Sequence, residues 1–146
     1  MILIDTSLGA AVALQTAAGD GRVSAIVAAE TFSDLRTIAT ERAPRILRRS
    51  IIDRAFATAE REGHFTVNDV SPIASAQRIR VPVLLLHGSL DKDTPPAHSE
   101  RVFAALQGPK RLLIEPGARH NESLSGAAVW AAVDSWLDEA VPDRRD

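Results

Sequence analysis

Apolar residues fall into blocks along this chain of 146 residues, and each block ends in glycine, proline or a cluster of charge. Ile2, Leu3 and Ile4 form a short run that predicts the end of a buried strand. From Leu8 to about Ala18 the residues are mostly Ala, Val and Leu. A helix apolar nearly all round is expected to be packed on several sides. "GDGR" stops it, because glycines end helices and open turns. "VSAIVAA" is the next continuous apolar strand, of the kind a parallel sheet covered by helices contains. "RVPVLLLHG" and "KRLLIEPG" are two more, with Pro82 near the start of the first, where a missing N–H is tolerated. "PPAHSERVFAALQG" reads as an amphipathic helix with Val102 and Leu106 facing in, closed by Gly108. "SGAAVWAAVDSWLDEAV" is a final helix with Val129, Val133 and Trp136 on one side, and the last residues read as a solvated tail.

Between the second and third strands the pattern changes. "DLRTIATERAPRILRRSIIDRAFATAEREG" is helical and rich in charge. Leu47, Ile51 and Ala55 recur every fourth residue as one apolar stripe, and Pro44 divides the stretch into two helices. Gly63 ends it, and "HFTVNDVSPIASAQRI" reads as a loop with one helical turn. A long insertion between strands of an α/β domain often covers a binding cleft. The order is therefore strand, helix, strand, helical insertion, strand, helix, strand, helix. Such alternation predicts a single α/β domain over 1–146, a parallel sheet with flanking helices.

Composition narrows the classes of function. The formal net charge is −2 and no basic face stands out, so nucleic acid is not an indicated partner. The chain has no cysteine, which removes disulfides, thiolate metal sites and a cysteine nucleophile, and which is consistent with a cytoplasmic location. No apolar run approaches the roughly 18 residues of a membrane span. The N-terminus lacks a basic region and carries Asp5 early, so neither membrane nor signal peptide is expected.

Three loops carry candidate chemistry. "IDTSLG" places Ser7 at an abrupt strand-to-helix turn, the shape of a nucleophile elbow. Gly9, Ala10 and Ala11 are small enough for the helix to pass close beside it, and the N–H of Leu8 points where an oxyanion would develop. The alternative is that Ser7 is an ordinary helix N-cap. Asp5 also stands where the G-x-S-x-G pattern has its first glycine. In "HGSLDKDTPP", Asp91 or Asp93 could orient an imidazole, or the loop could be a turn built of residues that turns favour. His87 at the strand end could equally be a packed, hydrogen-bonded histidine. In "EPGARHNE", His120 follows a strand and precedes a helix. His64 lies in the insertion, and His98 opens a helix where it is expected to face solvent. Serine, acid and histidine, each after a separate strand, stand in the chain order of an α/β-hydrolase triad, and their loops should meet at one edge of the sheet.

On these motifs the chain resembles the C-terminal part of an α/β-hydrolase, closest to the prolyl oligopeptidase-like and Bem46-like serine hydrolases. "DTSLGAAVAL" resembles the elbow and its helix. "VSPIASAQRIRVPVLLLHGSLDKDTPPAHSERVFAAL" resembles the acid strand, its H-G-x-x-D loop and the next helix, and "KRLLIEPGARHNESL" resembles the histidine loop. The resemblance implies Ser7 as nucleophile, Asp91 in preference to Asp93 as acid, His120 as general base and the Leu8 N–H as one oxyanion donor. It implies a cap role for the insertion at residues 36–68. The implied activity is hydrolysis of a carboxylic ester or related acyl substrate through an acyl-enzyme, with no cofactor and no metal. In the family, strands and a second oxyanion donor precede the elbow. The alternative is therefore a truncated, non-catalytic remnant, or an interaction module that pairs, with a second copy for example, through an exposed N-terminal strand.

Overall fold

A computed structural model describes residues 1–44 and 46–142; the expected solvated tail beyond 142 lies outside them. Four strands form one sheet: β1 (Ile2–Thr6), β2 (Ala25–Ala29), β3 (Val83–Gly88) and β4 (Lys110–Glu115). They are all parallel and lie in chain order, with Ile4 opposite Val27, Val27 opposite Leu84 and Leu84 opposite Arg111. The helices are α1 (Leu8–Ala17), α2 (Leu35–Arg42), α3 (Arg49–Gly63), α4 (Pro72–Ala76), α5 (Ala97–Ala105) and α6 (Ala127–Ala140). A 3₁₀ turn at Val67–Asp69 precedes α4.

Strand alternation divides the core into two layers. Ile26 and Ala28 of β2, with Val83 and Leu85 of β3, pack against Ala10, Ala13 and Leu14 of α1, Ala76 of α4 and Val102 of α5. Ala25, Val27 and Ala29, with Leu84 and Leu86, point the other way onto Val129, Val133, Trp136 and Leu137 of α6. Every residue of β2 and β3 is buried, which accounts for their unbroken apolar runs. Each buried Leu or Val is worth about 1.5–3 kcal/mol over an exposed one, so these two central strands hold the sheet together. Together the layers make a parallel α/β sheet with helices on both faces.

Four expectations need correction or refinement. Helix α1 is not covered on all sides. Leu8 is 64% and Val12 56% exposed, because β1 is an edge strand among the described residues and the helix overhangs that edge. Pro44 does separate two helices, α2 and α3, but α3 buries no residue, so Ile51 and Ala55 are open to solvent, and Leu47, exposed too, lies before the helix begins. The left-handed residue that ends α3 is His64 (φ 51°), one position after Gly63. His98 does not face solvent. It lies one helical turn before Val102, on the same face of α5, and is fully buried.

Candidate active site

The loops after β1, β3 and β4 converge at the C-terminal ends of the strands, where parallel sheets gather their functional groups. Ser7 occupies the single position between β1 and α1. Its backbone is forced to φ 54°, ψ −119°, a region that L-residues rarely adopt. Two backbone bonds hold it there, from the Ser7 N–H to Ala29 O (2.8 Å) and from the Ala11 N–H to Ser7 O (3.2 Å). The Ser7 hydroxyl caps no N–H of α1. It lies instead 2.9 Å from His120 Nε2. The Asp5 carboxylate lies over Gly9, where a Cβ would overlap it. Asp5 Oδ1 also accepts from the Thr6 N–H (2.8 Å).

The acid and histidine loops are zipped together by their backbones. Leu90 N–H donates to Ala118 O (2.9 Å) and Ser89 N–H to Glu115 O (3.0 Å). A Cβ on Gly88 would overlap the Ala118 carbonyl, so the glycine of "HG" is a requirement of this close approach. Within the acid loop, Asp91 divides its carboxylate between two tasks. Oδ1 accepts from the Asp93 N–H (2.9 Å) and Thr94 N–H (2.8 Å), which builds the turn. Oδ2 lies 2.7 Å from His120 Nδ1. Building the turn and meeting His120 therefore fall to the two oxygens of one side chain. An ionised carboxylate only accepts, so His120 carries its proton on Nδ1 and offers Nε2 to the Ser7 hydroxyl.

Asp93 contributes its carbonyl to Arg42 Nε (2.7 Å), and the same guanidinium donates to Thr94 Oγ1 (3.0 Å). Ser7, Arg42, Lys92, Asp93 and His120 line an open hollow of about 520 Å³, within the usual range of small-molecule sites. His87 is wholly buried behind the acid loop. Its Nε2–H donates to Thr94 O (2.7 Å) and lies 3.3 Å from Asp91 Oδ2, while Nδ1 meets Ser99 Oγ (2.6 Å). It is the packed histidine of the two alternatives. His64 caps α3 in the insertion and takes no part.

One residue escaped the sequence reading. Glu30, immediately after β2, is wholly buried and has φ 55°. Its carboxylate accepts from the backbone N–H groups of Asn121 and Ser123 (the latter 3.0 Å) and approaches His120 Nδ1 at 3.7 Å. The available signal was position alone, since it stands at the C-terminal end of a buried parallel strand.

A second cluster sits beneath the insertion. His98 Nδ1 accepts from the Ser33 N–H (3.1 Å) and meets Ser33 Oγ (2.9 Å), while Nε2 lies 2.8 Å from Glu41 Oε2 of α2. Burial holds the His98 imidazole below the ordinary histidine range, against the pull of its bond to Glu41. Among the described residues no helix is long and apolar enough to cross a membrane.

Comparison with known proteins places this chain in a family. The family model described as "Prolyl oligopeptidase family" matches residues 6–143. The uncharacterized protein Rv2307c of Mycobacterium tuberculosis is 34% identical over 138 residues, which are 92% of this chain and 43% of that one. The uncharacterized protein YfhR of Escherichia coli is 28% identical over 127 residues, 86% of this chain and 39% of that one. The chain thus spans about two fifths of the length of these relatives. A puromycin-hydrolyzing peptidase of Mycobacterium tuberculosis shares the fold at a TM-score of 0.73 and 24% identity, over 96% of this chain and 22% of that one. Acetyl xylan esterase 1 of Thermoanaerobacterium does so at 0.71 and 20%, over 96% and 45%.

Proposed function

The chain belongs to the prolyl oligopeptidase family, and from that premise we propose that it carries the catalytic row of a serine hydrolase acting on a carboxylic ester or related acyl substrate. The single observation behind this reading is the hydrogen-bonded row at the elbow. Ser7 Oγ lies 2.9 Å from His120 Nε2, and His120 Nδ1 lies 2.7 Å from Asp91 Oδ2. Ser7 attacks the acyl carbon while His120 Nε2 takes the hydroxyl proton and returns it to the leaving oxygen or nitrogen. Asp91 keeps the Nδ1–H tautomer and stabilises the imidazolium. Leu8 is the first residue of α1, so its N–H has no intrahelical acceptor and serves as one donor to the oxyanion. Water then attacks the acyl-enzyme by the same proton route in reverse, releasing the acid and restoring Ser7. The peptidase and the esterase that share the fold both act at acyl carbon, which supports this class of substrate.

The test is covalent labelling by a fluorophosphonate probe. Wild type is expected to be labelled and Ser7→Ala to remain unlabelled. Equal labelling of the two overturns the assignment of Ser7.

A further inference from the structure

Glu30 is a buried carboxylate beside His120 that the scheme above leaves unused. Oε1 accepts from Ser123 N–H, and Oε2 from Asn121 N–H and from the Thr6 hydroxyl (3.5 Å). The two backbone N–H groups can only donate, so each carboxylate oxygen accepts one of them, while the Thr6 hydroxyl is shared with Asn121 Oδ1 (3.4 Å). Asp91 is in the same position, with two N–H groups on Oδ1 and His120 on Oδ2. A carboxylate oxygen of Glu30, one of Asp91 and a ring nitrogen of His120 all lie within 4.8 Å of one another. No lysine or arginine side chain bonds to either carboxylate among the described residues. The group that can offset both is the His120 imidazolium, which the reaction creates.

The two acids reach the same nitrogen. Asp91 Oδ2 is 2.7 Å and Glu30 Oε2 3.7 Å from His120 Nδ1. Glu30 also grips the backbone on the far side of His120, at residues 121 and 123. Its own backbone is held at φ 55° while its N–H donates to Leu86 O (2.8 Å). A loop could be capped at lower cost by an uncharged acceptor, because burying an ionised carboxylate is expensive unless it meets positive charge.

Resting on the serine-hydrolase reading of this site, we propose that Glu30 is a positioning residue and a second acid: it fixes the His120 loop and takes over His120 Nδ1–H when Asp91 is lost. The chain then carries two acids for one histidine, from the ends of β2 and β3.

The experiment compares wild type, Asp91→Ala, Glu30→Gln and the double variant by two readouts. The first is the hydrogen-bonded Nδ1–H proton of His120 in NMR with ¹⁵N-labelled histidine, which does not depend on turnover. The second is hydrolysis of p-nitrophenyl acetate. Asp91→Ala is expected to keep an exchange-protected Nδ1–H signal and to lose about 10²-fold in kcat, less than the roughly 10⁴-fold of a triad without any acid. The double variant is expected to lose the signal and to fall about 10²-fold further. Glu30→Gln alone is expected to lower kcat about tenfold at constant KM. An Asp91→Ala protein that lacks the Nδ1–H signal, or that matches the double variant in signal and rate, overturns the proposal and leaves Glu30 a loop cap. If the Glu30 variants do not fold, the signal in Asp91→Ala decides alone; if Asp91→Ala does not fold, weakening of the signal in Glu30→Gln supports the proposal and an unchanged signal overturns it. No turnover in wild type, with the signals as expected, sinks the hydrolase reading while the second acid stands.

Discussion

Among the described residues, two rows of serine, histidine and carboxylate have nearly the same distances. At the elbow, Ser7, His120 and Asp91 are spaced at 2.9 and 2.7 Å. Beneath the insertion, Ser33, His98 and Glu41 are spaced at 2.9 and 2.8 Å. What separates them is orientation, access and competition. His120 turns Nε2 to the serine and Nδ1 to the acid, while His98 does the reverse. Ser7 faces an open hollow from a turn at positive φ, whereas Ser33 is wholly buried. The Ser33 hydroxyl is also shared, donating to Asp34 Oδ2 (3.1 Å) and accepting from Arg101 Nη1 (3.4 Å). The His98 Nδ1 lone pair already serves the Ser33 N–H. A histidine so engaged cannot take a proton from the hydroxyl without losing a buried bond. Spacing alone does not make a nucleophile; an exposed oxygen and an unoccupied lone pair do.

The largest effect that can break this comparison is the paired removal of the two hydroxyls. Ser7→Ala is expected to lower ester turnover by roughly 10⁴-fold or more. Ser33→Ala is expected to leave turnover within about threefold while costing about 1 kcal/mol of stability, the net worth of an ordinary buried hydrogen bond. Turnover with p-nitrophenyl acetate and urea unfolding measure the two. A large loss of turnover in Ser33→Ala would show that the buried row reaches the chemistry.

Next in size is the removal of the buried imidazole. His98→Ala leaves the Ser33 N–H without an acceptor and opens a cavity at the root of α5, so a loss of about 2–4 kcal/mol is expected. Its pH dependence has a definite sign. Burial keeps folded His98 below the 6.5 of a free imidazole. The unfolded chain therefore binds the proton first, so stability is full above about pH 6.5 and declines as pH falls below it. The groups facing His98 are Glu41 from α2, Asp34 before it and Arg101 on its own helix. His98→Gln is expected to flatten the decline in unfolding free energy between about pH 7 and pH 5.5. A slope in that window identical to wild type would remove His98 as its source.

The contrast between the rows also marks what can be read from the chain. The unbroken apolar runs of β2 and β3 and the small residues after Ser7 are local signals, and each stands where it was expected. The elbow row spans 113 and 29 residues in sequence, yet three separate motifs point to it. The buried row spans 65 and 57 residues, and no local motif joins its members. His98 was legible in part, since the turn spacing to Val102 puts both on one face of α5. Glu30 is a lone acid after an alanine pair, and only its place at a strand end sets it apart. The open stripe of α3 misleads because its periodicity is genuine; periodicity states which residues share a face, not whether another element covers it.

The smallest effect tests where the buried row stops holding the insertion. Glu41 lies on α2, so the His98 bond anchors that helix to α5. Beyond α2 the attachments are thinner. Arg36 of α2 carries several of them, with its guanidinium 4.6 Å from the Phe56 ring, Nε donating to Asn68 Oδ1 (2.8 Å) and Nη1 3.8 Å from Asp53. These are exposed contacts, worth about 0.5–1 kcal/mol each at most. Ile46, 91% exposed, and Ile51, 51% exposed, contribute little to the fold. Ile51→Ser is therefore expected to change global stability by no more than about 0.5 kcal/mol, and Arg36→Ala by about 1 kcal/mol. Hydrogen exchange gives the sharper reading. Arg36→Ala should speed exchange along α3 and leave α2 protected, because the Ser33–His98–Glu41 row still holds α2. His98→Ala should loosen both helices while the amides of Ser7 and Ala11, bonded to Ala29 O and Ser7 O, keep their protection. Protection lost at the elbow in His98→Ala would mean that the two rows are mechanically one, and that the buried copy supports the exposed one.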